Sequence, residues 1–296
     1  MFLLTNEAIG FIEAVERGPA HLALPTIRRR HWTRYGTGAL VPLLLLVLWE
    51  GLSRAGLAAP NLLPAPSAVA ETIIALVASG EIYGHVSITL FRVFSGFAAG
   101  ALAATALGAL TGFSPFYRRL LDPLLQGVRN IPSLAWVPLF ILWLGIFEAS
   151  KIALVAVGVF FPVYLNLMSG IQSVDRKLVE VGRMYRLEGL ALVRRVLVPA
   201  TLPSYFVGLR AGLGLGWMFV LAAEFMGASE GLGFLLIDGQ MTGRPAAIIG
   251  GIALFALFGK LTDWGLVRLG RPFLSWQDSF EAQSARDGDA GSQRNL

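Results

Sequence analysis

Apolar residues occupy most of this chain in separate blocks of about twenty, with shorter polar stretches between them. A helical block of that length spans the hydrocarbon core of a bilayer, and a helix satisfies its own backbone hydrogen bonds there. The blocks therefore predict six membrane-spanning helices. Their predicted ranges are 37–57, 86–113, 124–147, 151–171, 205–228 and 246–267. The pattern is that of an all-α polytopic membrane protein.

Prolines inside the third and fourth predicted spans affect their expected continuity. Pro132 and Pro138 lie in the third, and we expect Pro162 to break the fourth. A Pro-rich linker before the second span leads to a moderately apolar segment that ends at Ser79. We interpret this segment as interfacial or extramembranous.

The longest charged segment between apolar blocks lies after the fourth span, at residues 175–203, within the loop 172–204 that we call the polar loop. Its apolar residues recur every three to four positions, which is the period of an amphipathic helix. These residues are Leu178, Val181 and Tyr185, then Val193, Val196 and Leu197. Gly189 separates the two halves, and Pro199 and Pro203 follow the second. The pattern predicts two short helices joined by a bend, with the prolines closing the second.

Composition supports a membrane protein and excludes several kinds of chemistry. Hydrophobic residues make up 55% of the chain and charged residues 15%. No cysteine is present, so disulfides and thiol chemistry are excluded. The three histidines, at positions 21, 31 and 85, are far apart in sequence and predict no metal site.

The placement of Lys and Arg predicts the orientation in the membrane. With a cytoplasmic N-terminus, the cytoplasmic segments carry 17 of the 24 Lys and Arg, the outer segments carry three, and the spans carry four. Both termini and the polar loop are therefore predicted to be cytoplasmic. The net charge of +5 is then mainly a topology signal and does not indicate nucleic-acid binding. The predicted division is a cytoplasmic tail (1–36), a membrane domain (37–276) and a cytoplasmic polar tail (277–296).

Two spans carry a small residue, mostly glycine, at every fourth position, which creates a flat stripe for close helix contact. One stripe contains Gly96, Gly100, Ala104, Gly108 and Gly112, and the other contains Gly208, Gly212 and Gly216. Packing within one chain is one interpretation. A dimer interface or a moving contact is the other, and the sequence does not separate them.

Four residues within the spans are candidates for lining a path for a polar solute: Arg92, Arg210, Trp217 and Glu224. The last three fall near one face of the fifth predicted helix. The alternative is that the charges snorkel or form structural ion pairs. No carboxylate lies near mid-span, where a proton relay would require one, and this disfavours a proton-coupled pump.

No motif in the sequence indicates an enzyme. A P-loop, an HExxH motif and a GxSxG motif are all absent. The chain is therefore predicted to have no ATPase activity and to require no cofactor of its own. Energy would come from an ion gradient or from another subunit.

The polar loop resembles that of the permease subunits of ATP-binding-cassette (ABC) importers. In that family the loop begins Glu-Ala-Ala, has Gly six residues after the Glu, and ends near Leu-Pro. Glu180 and Pro199 match the Glu and the Pro at the required spacing. Val181 and Gly182 replace the two alanines, and Val198 replaces the Leu. Arg186 occupies the usual Gly position, and Gly189, three residues later, is the alternative site of the bend.

The resemblance covers residues 86–276. Within the family, this part of the chain is similar to the branch that imports sulfonates, taurine and nitrate. It rests on the stretches 87–97, 129–152, 208–225 and 231–236. The run 160–187 is most similar to permeases for aliphatic sulfonates. The fold that this resemblance implies is the six-helix type I ABC importer permease.

The resemblance also implies the partners: a cytoplasmic ATPase that binds the ATP, a periplasmic or lipid-anchored substrate-binding protein, and a second permease copy. The chain would lie in the bacterial inner membrane, in contact with its lipids. The polar loop would insert into a groove of the ATPase. The implied coupling residues are Leu178, Glu180, Val181, Gly182, Met184, Tyr185, Arg186, Gly189 and Pro199.

Three alternatives to this interpretation remain. In the first, the polar loop is a basic amphipathic helix lying on anionic lipid. In the second, the protein is a secondary transporter, whose uptake persists without ATP and without a binding protein. In the third, it is a membrane scaffold that transports nothing.

Overall fold

The computed structural model describes residues 32–57 and 62–274, and within them all regular structure is helical. This confirms the predicted all-α class. The predicted terminal tails lie almost wholly outside the described residues. The α-helices are α1 (Trp32–Arg54), α2 (Pro66–Ser79), α3 (Glu81–Phe113), α4 (Pro115–Arg129), α5 (Val137–Leu144), α6 (Glu148–Gln172), α7 (Arg176–Met184), α8 (Gly189–Leu192), α9 (Val198–Phe225), α10 (Leu232–Met241) and α11 (Pro245–Gly270).

Four long helices of the described chain are apolar enough to cross a membrane: α3, α6, α9 with the turn before it, and α11. They coincide with the second, fourth, fifth and sixth predicted spans. The first predicted span overlaps α1. The third is α4 followed by a short 3-10 turn (Ser133–Trp136) and α5, and these two helical parts meet at 90°.

The prediction of a continuous third span was therefore wrong. Pro132 has φ −53° and ψ 125°, an extended conformation. Proline lacks an N–H and restricts the residue before it, so the first helix ends before Pro132. Pro138 lies in the first turn of α5, where an N–H has no partner within the helix in any case.

The expected break at Pro162 was also wrong, because α6 continues through it. The helix is buried between α3 and α9, and such packing maintains proline-containing helices in membranes. The side chain of Asn166 donates a hydrogen bond to the carbonyl oxygen of Pro162 over 2.9 Å.

Both glycine stripes pack against α6. A Cβ on Gly96 would lie 2.5 Å from that of Val155, and one on Gly112 would lie 2.6 Å from Ile171 Cδ1. The residue numbers increase together, so α3 and α6 are parallel. The segment that joins the end of one membrane-spanning helix to the start of a parallel one must itself cross the membrane. The bent α4–α5 pair joins α3 to α6, so it crosses the membrane and is not a re-entrant loop.

The stripe on α9 packs on α6 in the opposite sense. A Cβ on Gly208 would lie 2.8 Å from Asn166 Cβ, and one on Gly216 would lie 3.3 Å from Val159 Cγ2. The numbers run in opposite directions, so α6 and α9 are antiparallel. The stripes thus contact α6 of their own chain, whereas contacts between copies remain a prediction.

The same argument orients α11, which is antiparallel to α9. Trp217 contacts Thr262, while a Cβ on Gly270 would lie 2.8 Å from the ring of Phe206. The ends Phe113, Gln172 and Gly270 therefore share one side of the bundle. The opposite side holds the starts of α3, α6 and α11 and the end of α9. This is the alternation that the predicted spans require.

Two short apolar helices complete the bundle. The side chain of Ile73 on α2 reaches Gly250 of α11, and α2 is the segment predicted to be interfacial or extramembranous. α10 packs against α9 and α11 and was not predicted. Its ten residues are too few for a span, and a block of that length has no distinctive signal in sequence.

Candidate functional site

The first half of the polar loop is the amphipathic helix α7. Asp175 caps it, because its Oδ1 accepts a hydrogen bond from the backbone N–H of Lys177 over 2.9 Å. The helix is nine residues long, and its one buried residue is Gly182. The predicted first short helix is confirmed.

The bend after α7 forms at Arg186 itself. Among the described residues Arg186 is the only non-glycine with a positive φ, of 58°. The N–H of Leu187 donates to Gly182 O over 3.0 Å, and that of Arg186 donates to Arg183 O over 2.8 Å. These two bonds define a Schellman motif with Arg186 at the position that glycine usually occupies. The family's bend is thus retained, and Gly189, with φ 50°, continues it.

The second half of the polar loop does not end at the prolines, contrary to the prediction. α8 leads into a π-helical turn (Val193–Leu197) and directly into α9, which contains both Pro199 and Pro203. The N–H of Val198 donates to Val193 O, five residues back. A π-turn shifts the hydrogen-bond register just where Pro199 supplies no N–H, and the helix therefore continues.

Gly182 brings the two halves of the polar loop together. A Cβ at this position would lie 2.7 Å from Leu192 Cδ1 and 3.2 Å from Val196 Cγ2. A methyl group would fit only if the end of the Leu192 side chain moved, and a long side chain would push α7 away from the helical segment that enters the membrane. Gly182 replaces the second alanine of the family motif, and this contact explains why the position must be small.

The apolar face of α7 is exposed in this single chain. Met184 is 82% exposed and Tyr185 78%, while Leu178 and Val181 are each about half exposed. Part of this face borders a cleft of about 380 Å³. The cleft is lined by Leu178, Val181, Gly182, Tyr185, Leu187, Arg195, Val196, Pro199 and Ala200. A partner that binds here can therefore contact both the protruding apolar face of α7 and the cleft beside it.

Cations surround this apolar surface. The polar loop contains Arg176, Lys177, Arg183, Arg186, Arg194 and Arg195, and all six are exposed. Within the part of the chain that the structure describes, none of them forms an ion pair. Glu180 is also exposed.

At the opposite end of the bundle, two of the path candidates form a buried ion pair. Arg92 Nη1 lies 2.8 Å from Glu224 Oε1, and their side chains are 2% and 0% exposed. Arg92 also makes two bonds of 2.6 and 2.7 Å to Glu148, and a third bond to Glu230 O. This geometry is that of a structural ion pair, as the alternative interpretation supposed.

The buried pair also fixes the loop before α10. The N–H of Gly233 donates to Glu224 Oε2 over 2.6 Å, and that of Leu232 donates to Thr89 Oγ1 over 2.9 Å. A Cβ on Gly231 would lie 2.5 Å from the carboxyl carbon of Glu224. The two glycines therefore let the backbone approach the carboxylate. The sequence reasoning missed Thr89 and Glu148 in this cluster, because nothing in the sequence links residues so far apart.

The other two path candidates face α11. Arg210 makes bonds of 2.8 and 3.0 Å to the two carboxyl oxygens of Asp263. Trp217 is buried, and its Nε1–H donates to Thr262 Oγ1 over 2.9 Å. The four path candidates therefore lie in two separate places. Arg92 and Glu224 contact each other, whereas Arg210 and Trp217 each contact α11.

Residues 96–272 match the family model described as "Binding-protein-dependent transport system inner membrane component". The chain belongs to this family. It is a multi-pass membrane permease of a binding-protein-dependent ABC transporter, and such a subunit is not the ATPase.

Several of the relatives are permeases named for small anions. The putative aliphatic sulfonates transport permease protein SsuC of Bacillus subtilis is 38% identical over 269 residues, which is 91% of this chain and 94% of that protein. Its Escherichia coli namesake is 38% identical over 245 residues, 83% and 93% of the two chains. The taurine transport system permease protein TauC of Escherichia coli is 31% identical over 237 residues, 78% and 86%. The chain also matches the nitrate import permease protein NrtB of Leptolyngbya laminosa, at 31% identity over 182 residues, 62% and 65%. The chain thus lies in the branch whose members are named for sulfonates, taurine and nitrate.

Proposed function

We propose that this permease carries aliphatic sulfonates across the inner membrane into the cytoplasm. It works as a pair of copies, with an ATPase that binds and hydrolyses ATP on the cytoplasmic side. A periplasmic or lipid-anchored binding protein delivers the anion on the other side. Taurine and nitrate are the alternative cargoes, since permeases named for them are also similar to this chain.

The observation that carries the coupling role is the exposed apolar face of α7 beside its cleft. Met184 and Tyr185 extend from the loop with little cover in this chain, which is the arrangement of a helix that inserts into a groove. The surrounding cations suit an acidic rim of an ATPase. A partner that covers this surface would bury the side chains left exposed here.

The continuity of the polar loop with α9 supplies the mechanical link. From Val193 to Phe225 the chain is one apolar helical segment of 33 residues. Closure of the two ATPases on ATP would displace the polar loops, and each loop would tilt its α9. Because α9 packs along α6 through glycine contacts, this motion would open the path alternately to either side.

Docking is tested with variants of the polar loop. Tyr185→Ser and Glu180→Ala should weaken co-purification of the ATPase with the permease in detergent, and ATP-dependent uptake should fall in parallel. Glu188→Ala is the matched control, because Glu188 is an exposed acid of the same loop outside the apolar face. Undiminished association of both variants would contradict the docking role.

Cargo is tested in proteoliposomes that contain the assembled importer. We expect uptake of radiolabelled ethanesulfonate to require ATP and the binding protein. Unlabelled sulfonate should compete strongly, taurine and nitrate weakly. Uptake that persists without ATP would contradict an ATP-driven importer, while stronger competition by taurine or nitrate would reassign the cargo.

The proposed orientation places both termini and the polar loop in the cytoplasm. The absence of cysteine allows single-cysteine variants to be labelled without background. In spheroplasts, a membrane-impermeant maleimide should label Thr242→Cys, between α10 and α11, and should not label Lys177→Cys until the cells are permeabilised. Labelling of Lys177→Cys in intact spheroplasts would invert the topology.

A further inference from the structure

Arg210 lies in a groove between α9 and α11. The groove has a volume of about 700 Å³, and its lining includes Ser204, Phe206, Val207, Arg210, Leu266 and Arg271. The Arg210 side chain is 53% exposed and that of its partner Asp263 is 28% exposed. This contrasts with Arg92 and Glu224, which are almost completely enclosed by protein.

The exposed pair lies within the membrane-spanning part of the chain, toward the end of the bundle that carries the polar loop. Arg210 is six residues after the last residue of the polar loop (172–204) and fifteen before the end of α9. At 1.5 Å per residue these separations are about 9 Å and about 22 Å. Asp263 is about 10 Å from the end of α11 by the same rise. Charged side chains at such depth face protein or water, because acyl chains cannot solvate them.

The contact between Arg210 and Asp263 has the geometry of anion recognition. Nε donates to Oδ1 over 2.8 Å and Nη2 donates to Oδ2 over 3.0 Å, so one edge of the guanidinium holds two oxygens of one group. A sulfonate also presents two oxygens to such an edge, as carboxylates and tetrahedral phosphates do when guanidinium binds them in this bidentate manner. Asp263 thus occupies the place that a sulfonate would take.

The charge around the groove also favours an anion. Arg210 and Arg271 are cationic members of its lining, and no acidic residue is among the described residues that line it. Lys260 lies one turn before Asp263 on α11 and is exposed. Three cations against the one carboxylate of Asp263 leave this region positive. An anion that displaces Asp263 from Arg210 would therefore still be in a favourable field.

We propose that Arg210 is the residue that binds the transported anion within the membrane, and that Asp263 is its internal counter-anion. Asp263 holds the guanidinium in place when the path is empty, yields to the sulfonate as it passes, and then competes to release it. This inference rests on the proposed transport of sulfonates. It assigns to the pair an exchange that the buried Arg92–Glu224 pair, which has no exposed edge, cannot perform.

The experiment compares ethanesulfonate uptake with ATP hydrolysis in proteoliposomes that contain the complete importer. For Arg210→Gln we expect uptake to fall at least about tenfold, since a charge-assisted bidentate contact is lost. ATP hydrolysis stimulated by the loaded binding protein should stay within about twofold of the wild type. Arg244→Gln is the matched control, because Arg244 forms a similarly exposed pair with Asp238 outside the groove. Its uptake should be unchanged.

The double variant separates anion binding from a structural role. If Arg210 binds the anion, Arg210→Gln with Asp263→Asn stays as defective as Arg210→Gln alone. Recovery of uptake in this neutral pair would overturn the proposal, because it would show that only charge balance matters. Wild-type uptake by Arg210→Gln alone would overturn it as well. So would loss of association between the two permease copies in both single variants, which would identify the groove as their interface.

Asp263→Asn provides a test if Arg210→Gln fails to assemble. In nanodiscs that hold the importer without its binding protein, this variant should bind radiolabelled ethanesulfonate about tenfold more tightly than the wild type, because the competing carboxylate is gone. Unchanged affinity would overturn the proposal. A wild-type importer that takes up none of the three anions would instead refute the proposed function. If the wild-type importer takes up sulfonate and Arg210→Gln takes it up equally well, this inference alone is refuted and the proposed function stands.

Discussion

Replacing Arg92 with leucine should destabilise the bundle strongly, because it leaves a carboxylate buried without its cation. Glu224 is 0% exposed and would retain two hydrogen bonds, from Thr89 and from the N–H of Gly233. Removing one partner of a buried pair costs about 3–5 kcal/mol. Glu148, the second carboxylate on Arg92, is 40% exposed, so water can replace much of its interaction and it adds little to this cost.

The measurement is the free energy of unfolding in mixed micelles as denaturing detergent is titrated in. Arg92→Leu should lose about 3–5 kcal/mol. Arg92→Leu combined with Glu224→Leu should recover much of that loss, since two apolar side chains bury neither charge. Arg244→Leu serves as the control, because it breaks a pair that is 59% and 34% exposed and should cost less than about 1 kcal/mol.

The reasoning would be refuted by a loss for Arg92→Leu no larger than that of the control. It would also be refuted if the double variant were less stable than Arg92→Leu alone. Either result would mean that the cluster is well solvated and that its charges do not depend on one another.

Three further predictions concern backbone conformation and close contacts. Arg186→Gly should stabilise the protein by about 1 kcal/mol in thermal unfolding, because glycine relieves the left-handed strain at φ 58°; an unchanged or lower stability would count against strain there. Gly182→Leu should separate α7 from Leu192 and reduce ATPase co-purification without lowering the amount of permease in the membrane, and normal association would show that this contact is unimportant. Gly208→Ala should destabilise by about 1–3 kcal/mol because its Cβ would clash, whereas Gly214→Ala, with open space around it, should be neutral or stabilising; equal effects would contradict the packing argument.

The polar loop illustrates how far local pattern alone extends. The apolar period around Leu178 and Val181 predicted a short amphipathic helix in the first half of the polar loop, where α7 lies, because an exposed amphipathic helix is determined by its own residues. The family resemblance identified Arg186 as a departure at the bend. It could not indicate that an arginine would adopt the glycine conformation, since that depends on the two capping hydrogen bonds of the folded loop.

The prolines show the opposite case. Pro132 ends a helix, Pro162 lies inside α6, and Pro199 follows a π-turn that continues into α9. Local rules assign the same cost to each residue. Neighbouring helices decide whether that cost is met, and a single sequence does not state which helices will be neighbours.

By itself the sequence determined the helical class, the approximate positions of the membrane helices, the amphipathic polar loop and the family resemblance. All of these depend on composition, local periodicity or a motif of contiguous residues. Only the tertiary structure decided that α3 and α6 are parallel, that Arg92 pairs with Glu224, and that Arg210 is exposed beside Asp263. The physical reason is that packing and ion pairing join residues more than fifty positions apart, and their geometry exists only after the helices have assembled.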